Sequence, residues 1–166
     1  MVVSLQKIIS SGFDAEQLCI VEGKHCWCVF VDVLVLESDG NDLDAAVLAS
    51  RAALKATKLP GVSVEEDAET ATESLSLSDD PKDAKSLQVE SIPVAVTLCQ
   101  IAQSSVDYFV DPSRAEQECA LTRLTVAVDP RNGKVLFVQK ASEGAIEPSV
   151  LLDMLSVACE TAQSLQ

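Results

Sequence analysis

Apolar positions along the chain recur with two different periods. Leu5, Ile8 and Ile9 sit at helical spacing and predict a short amphipathic helix at the start. Residues 18–21 and 26–36 flank Glu22-Gly-Lys-His25, a hairpin pattern with glycine in the turn. The second of these runs is apolar on both faces, with Trp27, Val29, Val31, Val33 and Val35 alternating with Cys28, Phe30, Leu34 and Leu36. Such a run predicts a central strand covered on both sides. Asp39-Gly-Asn41 breaks it. Residues 42–58 follow with Leu43, Val47, Leu48 and Leu54 at helical spacing, and Leu59-Pro60-Gly61 ends that helix. Further on, residues 92–101 and 107–110 read as strands. Residues 121–128 and 134–139 read as a hairpin about Asp129-Pro-Arg-Asn-Gly133, the clearest turn signal in the chain. A last helix begins near Pro148 and places Val150, Leu151, Met154, Leu155 and Ala158 on one face. The pattern is a layered α/β (α+β) fold. It is short of strands, because a central strand needs neighbours on both edges and the first part offers only a hairpin partner.

Composition narrows the function. Of 166 residues 48% are apolar, enough for a real core, so global disorder is excluded. A net charge of −14 argues against a free-standing nucleic-acid binder, which needs a cationic face to displace counterions. RNA contact is expected only within a larger, basic assembly. Residues 62–91 hold nine acidic side chains against two basic ones, half the net charge. The stretch 65–83 is rich in Ser, Thr and Ala without sustained apolar period, and is expected to be a solvated, flexible loop. The chain is thus expected to divide into residues 1–61, an acidic linker at 62–88, and residues 89–166.

Six cysteines accompany an opening, Met1-Val-Val-Ser, that lacks the signature of a secretory leader. An intracellular, reduced protein with cysteines as small core residues is the expectation. Cys26 and Cys28 share a strand face beside His25, but no second ligand pair follows at zinc-site spacing, so no metal and no cofactor is expected. The longest apolar run, 26–36, is interrupted by Asp32 and too short to span a bilayer. Arg51, Lys55 and Lys58 form a basic stripe on the first long helix; they are the RNA-binding candidates, weighed against a plain solvated face.

Leu18-Cys-Ile-Val-Glu-Gly23, Cys26-Trp27, Val31-Asp-Val-Leu-Val-Leu36, Asp39-Gly-Asn41 and Leu43-Asp-Ala-Ala46 together resemble the RNase PH-like family. So do Ile92-Pro-Val-Ala-Val-Thr-Leu98, Val110-Asp-Pro-Ser113 and Ala115-Glu116. The resemblance covers nearly the whole chain and implies an RNase PH-like fold: the end of a first domain, then a second, C-terminal domain. The portion of family members preceding the point that matches Met1 would supply the missing strands. Among family members, the resemblance is to ring subunits of the RNA exosome. It implies partnership with other RNase PH-like ring subunits and RNA-binding cap subunits, no membrane association, and residence in nucleus and nucleolus, also cytoplasm.

Two departures bear on catalysis. Active phosphorolytic members open the helix after the Asp-Gly turn with Gly-Thr-Arg or a close variant, which binds phosphate at the helix N-terminus. Here the stretch is Asn41-Asp-Leu43, so Leu43 stands where the arginine would be, and Asp39, Asp42 and Asp44 crowd the same end. Active members also carry a second aspartate six residues beyond the one matching Asp111; here that position is Gln117. Glu116 and Glu118 flank it, but neighbours on a helix point roughly 100° apart. A catalytically inactive ring subunit, supporting 3′-to-5′ RNA degradation and processing including ribosomal RNA maturation, is the expectation. The alternatives are a truncated, non-assembling product and an active phosphorolytic 3′-to-5′ exoribonuclease.

Overall fold

The computed structural model describes residues 1–66, 73–101 and 108–165. In chain order the elements are α1 (Val2–Gly12), β1 (Cys19–Val21), β2 (His25–Cys26), α2 (Asp42–Ala56), β3 (Lys58–Leu59), β4 (Val62–Glu66) and β5 (Glu73–Leu77). They continue with β6 (Lys85–Ser86), β7 (Val94–Gln100), β8 (Tyr108–Val110), α3 (Arg114–Cys119), β9 (Thr122–Asp129), β10 (Lys134–Ala141) and α4 (Pro148–Ser164). Short 3₁₀ turns occupy Ala15–Leu18 and Pro81–Asp83.

The frame is an antiparallel sheet in the order β10-β9-β7-β8. Strand alternation sends two sets of side chains to opposite faces. Val94, Val96 and Leu98 of β7, with Leu124, Val126 and Val128 of β9, face α4, whose Val150, Met154, Ala158 and Ala162 recur every fourth residue and are all buried. The intervening Ala95 and Ala127 face the other way, onto Ile8 of α1 and Val47 of α2. These small residues let two helices lie close to the sheet. The first third of the chain therefore shares a core with the last. A third cluster, Leu54, Leu87, Val89 and Ile92, closes the end of α2 and receives Val29 and Leu18 at its margin.

The late hairpin forms as its turn chemistry predicts. Asp129 accepts from the Arg131 and Gly133 main chain, and Gly133 takes φ +69°, where a side chain would be strained. Three expectations are corrected. Residues 27–36 form no strand beyond the two-residue β2; Phe30, Leu34 and Leu36 are 83%, 81% and 88% exposed. A strand needs ladder partners for its N–H and C=O groups; the Trp27 N–H donates to the Leu18 carbonyl at 2.8 Å, and beyond it no main-chain partner pairs with 28–36 among the described residues. The acidic stretch is not a plain loop: β4 and β5 pair in register from Val62↔Leu77 to Glu66↔Glu73. Its tip, 67–72, falls outside the described residues, and the start of the strand expected at 107–110 does too. Finally, α2 stops at Ala56, since Thr57 is extended and Lys58 belongs to β3, paired with Ser86. Lys58 therefore leaves the helical stripe. The pairing of Lys58 and Leu59 with β6 takes these residues out of the helix, and Pro60 favours the extended conformation at Leu59 that this pairing needs.

Candidate functional site

The α1/α2 face of the sheet becomes polar toward the N-terminus of α2. Thr97 of β7 and Thr125 of β9 are register partners there, their hydroxyls 2.9 Å apart. Strand β8 stops at Val110, so Thr97 loses its ladder partner on that edge. Asp44, in the first turn of α2, takes its place. Its carboxylate accepts from the Thr97 N–H at 2.6 Å and the Thr97 hydroxyl at 2.8 Å. Asp111 N–H donates to the Thr97 carbonyl at 3.1 Å, so both main-chain groups of Thr97 are satisfied. Burial pushes the Asp44 carboxyl above its ordinary value; the Thr97 and Asn41 hydrogen bonds oppose this without cancelling it.

Two loops of distant sequence meet beside this network. Asn41 caps α2 in the left-handed region (φ 52°) and donates through Nδ2 to Asp111 Oδ1 at 2.8 Å; Asp111 is itself left-handed, at φ 56°. Asparagine and aspartate are the non-glycine residues that tolerate this conformation best. Gly40, at φ 110°, lies under the start of α3, where a Cβ would stand 2.6 Å from the Arg114 nitrogen and 2.8 Å from Gln117 Nε2. Asp39 O accepts from the Arg114 N–H across the same contact. Only glycine allows the approach.

Gln117 is held at both ends of its amide. Nε2 donates to the Pro112 carbonyl at 3.0 Å, and Oε1 accepts from Arg123 Nη1 at 2.8 Å. Its acidic neighbours are engaged elsewhere. Glu116 closes a capping box with Ser113, whose N–H and hydroxyl both donate to it at 2.7 Å and hold its carboxyl below the usual range. Glu118 is exposed and lies 4.0 Å from Arg114 along α3.

A cavity of about 190 Å³ opens between these groups, lined by Leu43, Thr97, Gln117, Arg123, Thr125 and Gln139 among others. The structure thus gathers Leu43, Asp111 and Gln117 around one end of α2. Leu43 is half-buried and packs toward Ile8 and Val47. Asp42, accepting from the Ser38 hydroxyl at 2.6 Å, adds a carboxylate to the first helical turn beside Asp44. The cavity pairs one guanidinium, that of Arg123 and already bonded to the Gln117 amide, with the single carboxylate of Asp42. Arg51 and Lys55 are elsewhere: Arg51 lies nine residues up the helix from Asp42, about 13 Å along its axis. The basic residues expected to meet RNA do not join the cavity.

Sequence reasoning alone misses Arg123, although strand alternation carries its signal. In Arg123-Leu124-Thr125-Val126-Ala127-Val128 the even positions are all apolar, so an arginine at the odd position faces away from the α4 core.

The chain matches the models of the 3′ exoribonuclease family, domain 1 over residues 4–60 and domain 2 over residues 91–161. It belongs to the 3′ exoribonuclease, RNase PH-like family. Similar relatives include "Exosome complex component Rrp42" of Methanopyrus kandleri, 32% identical over 99% of this chain and 59% of the relative. "Putative exosome complex exonuclease RRP42" of Dictyostelium discoideum is 35% identical over 91% of this chain and 45% of the relative. Among solved structures, a chain of "Archaeal exosome core" superposes with a TM-score of 0.76 at 30% identity, covering 98% of this chain and 59% of its own. A chain of the Archaeoglobus fulgidus exosome with RNA bound to the active site gives 0.75 at 31% identity, covering 98% and 57%. The fold is RNase PH-like, and the chain spans about half to three-fifths of the length of the relatives it matches.

Proposed function

We propose that this RNase PH-like chain serves as a non-catalytic ring subunit of an RNA exosome. In that role it supports 3′-to-5′ RNA degradation and processing, ribosomal RNA maturation included. The observation that carries the reading is the state of the α2 N-terminus. Leu43 offers no cation, Asp42 and Asp44 place negative charge in the first turn, and the Gln117 amide is locked between Pro112 and Arg123. Carboxylates in a first helical turn complement the helix dipole themselves and repel a phosphate anion. Similarity to relatives named as exosome components supports membership of such an assembly. The proposal extends to RNase PH-like ring subunits and RNA-binding cap subunits as partners, with nucleus, nucleolus and cytoplasm as the setting.

The test is incubation of the purified chain with single-stranded RNA, inorganic phosphate and magnesium, alongside capture of RNase PH-like ring subunits. The expected result is capture without release of nucleoside diphosphates above a mock preparation. Phosphate-dependent shortening of the RNA would establish the competing reading, an active phosphorolytic exoribonuclease. Failure to capture any ring subunit would mark a product with no assembled role.

A further inference from the structure

The β1–β2 hairpin sets two thiols side by side. The Lys24 N–H donates to the Val21 carbonyl at 3.0 Å and closes the turn, with Gly23 at φ +73°. Ile20 is bulged out, so that Val21 faces His25 and Cys19 faces Cys26. The kind of pair follows from the next bond along. The Trp27 N–H donates to the Leu18 carbonyl at 2.8 Å, which makes Leu18 and Trp27 a hydrogen-bonded pair. The two kinds of pair alternate along an antiparallel ladder, so Cys19 and Cys26 form a non-hydrogen-bonded one, whose Cα atoms stand about 4.5 Å apart. A disulfide accepts Cα separations of about 4.4–6.8 Å. Directly opposite residues project from the same face of the ribbon, both cysteines are exposed, and both are free thiols. Turn and ladder lie within residues 18–27, so the juxtaposition is a property of the hairpin itself.

We infer that Cys19 and Cys26 are a redox-modification site, which a low-molecular-weight disulfide such as oxidised glutathione converts reversibly into an intramolecular bridge. The thiolate of one cysteine attacks a sulfur of the reagent, forming a mixed disulfide and releasing one thiol. The thiolate of the other then attacks the protein-bound sulfur and expels the second thiol. One S–S bond forms in the protein and one breaks in the reagent, while two electrons and two protons pass to the released thiols. The pair stands near the short end of the accepted range, so the bridge is strained and readily reduced, which suits a reversible modification better than a permanent staple. The remaining cysteines are placed differently. Cys99 is buried, and burial pushes its thiol up, away from the reactive thiolate. Cys28 and Cys119 are exposed, but neither has a cysteine opposite it in a ladder. Cys19 and Trp27 line a cavity of about 540 Å³ with Leu59 and Lys85, so the bridge would stiffen one of its walls. This inference is independent of the proposed exosome role.

The experiment equilibrates the purified protein with glutathione and its disulfide at rising ratios of disulfide to thiol, traps remaining thiols with a maleimide, and digests with trypsin without reduction. Cleavage after Lys7, Lys24 and Arg51 puts Cys19 in peptide 8–24 and Cys26 with Cys28 in peptide 25–51. The expected result is a linked pair of these peptides from monomeric protein, lost again on return to excess reduced glutathione. Because the second attack is intramolecular, the link should need about tenfold less glutathione disulfide than the mixed disulfide at Cys119. Cys28→Ser should keep the link. Cys19→Ser should abolish it and leave Cys26 carrying glutathione, and Cys26→Ser should do the same at Cys19. Unchanged melting of the reduced variants controls for folding. Peptides that stay separate at every ratio, a link that disappears in Cys28→Ser, or a link found only between two copies would overturn the inference. So would a Cys26 that takes up glutathione as readily as Cys119 in the unmutated protein, or a bridge that survives excess reduced glutathione.

Discussion

Replacing Asp44 by alanine removes the acceptor that stands in for a missing strand partner. The Thr97 N–H, 2.6 Å from Asp44 Oδ2, would be left buried and unpaired, at a cost of about 1–3 kcal/mol. The Thr97 hydroxyl can turn its proton to Thr125 Oγ1 at 2.9 Å, so its loss adds little. Losing a carboxylate from the first turn of α2 costs about 0.3–1 kcal/mol. Relief of the buried charge offsets part of the total, which leaves a net destabilisation of about 1–3 kcal/mol. In a chain of this size that lowers the melting temperature by about 3–10 °C. Asp44→Asn separates the hydrogen bond from the charge, because its Oδ1 still accepts from Thr97 N–H; its loss should be about 1 kcal/mol or less. Their pH dependences should differ as well. Burial raises the Asp44 carboxyl above its unfolded value, so its contribution to stability is full below the ordinary carboxylate range and is lost as pH rises through the raised value. Urea unfolding of wild type and Asp44→Asn between about pH 3 and pH 8 isolates this contribution from Glu116 and Asp129, whose lowered values act in the opposite sense. An Asp44→Ala protein that melts within about 2 °C of wild type, or an Asp44→Asn protein with an unchanged pH slope, would refute the account.

Met154→Ala should destabilise the fold by about 2–5 kcal/mol, because the side chain is fully buried against Val96, Leu98, Leu124 and Val126 of the central strands and their neighbours, and its removal leaves a cavity. Chemical denaturation measures the loss directly. Replacing 62–77 by a short Gly/Ser connection should change stability by about 1 kcal/mol or less, since Val64, Leu75 and Leu77 are exposed and the hairpin joins none of the three core clusters. A large fall in melting temperature on that deletion would show that the acidic hairpin packs on the core.

The elements readable in the sequence are those whose cause is local. Asp129-Pro-Arg-Asn-Gly133 carries its own turn chemistry, and the four-residue recurrence of Val150, Met154, Ala158 and Ala162 declares a helix face. Ser113 and Glu116 also stand at capping-box spacing at the start of α3, a short local signal that none of the sequence-based expectations used. In the acidic stretch, Val62 and Val64 alternate with Ser63, and Leu75 and Leu77 with Ser76, but this short signal is outweighed by the surrounding charge. Residues 27–36 fail for the opposite reason: their apolar pattern is strong, yet a strand is a property of a pair. At the site, Leu43 and Gln117 are legible as departures from a family pattern. The Asn41–Asp111 bond and the Arg123–Gln117 bond are not, because each joins residues that only the folded sheet brings together.

The contact of Gly40 beneath α3, together with the Asn41–Asp111 bond, has a bearing on ancestry and reversibility. Residues on both loops now satisfy one another, so an arginine restored at 43 would still meet Asp42 and Asp44, and an aspartate restored at 117 would abandon Pro112 while drawing Arg123 to itself. The effects of such changes are coupled, not additive. Each single step toward a phosphate-binding pocket would disturb a satisfied contact before any benefit to ligand appears. Under the proposed non-catalytic role, the latch between the two loops would act as an evolutionary ratchet, because a phosphate-binding pocket here would need several simultaneous substitutions.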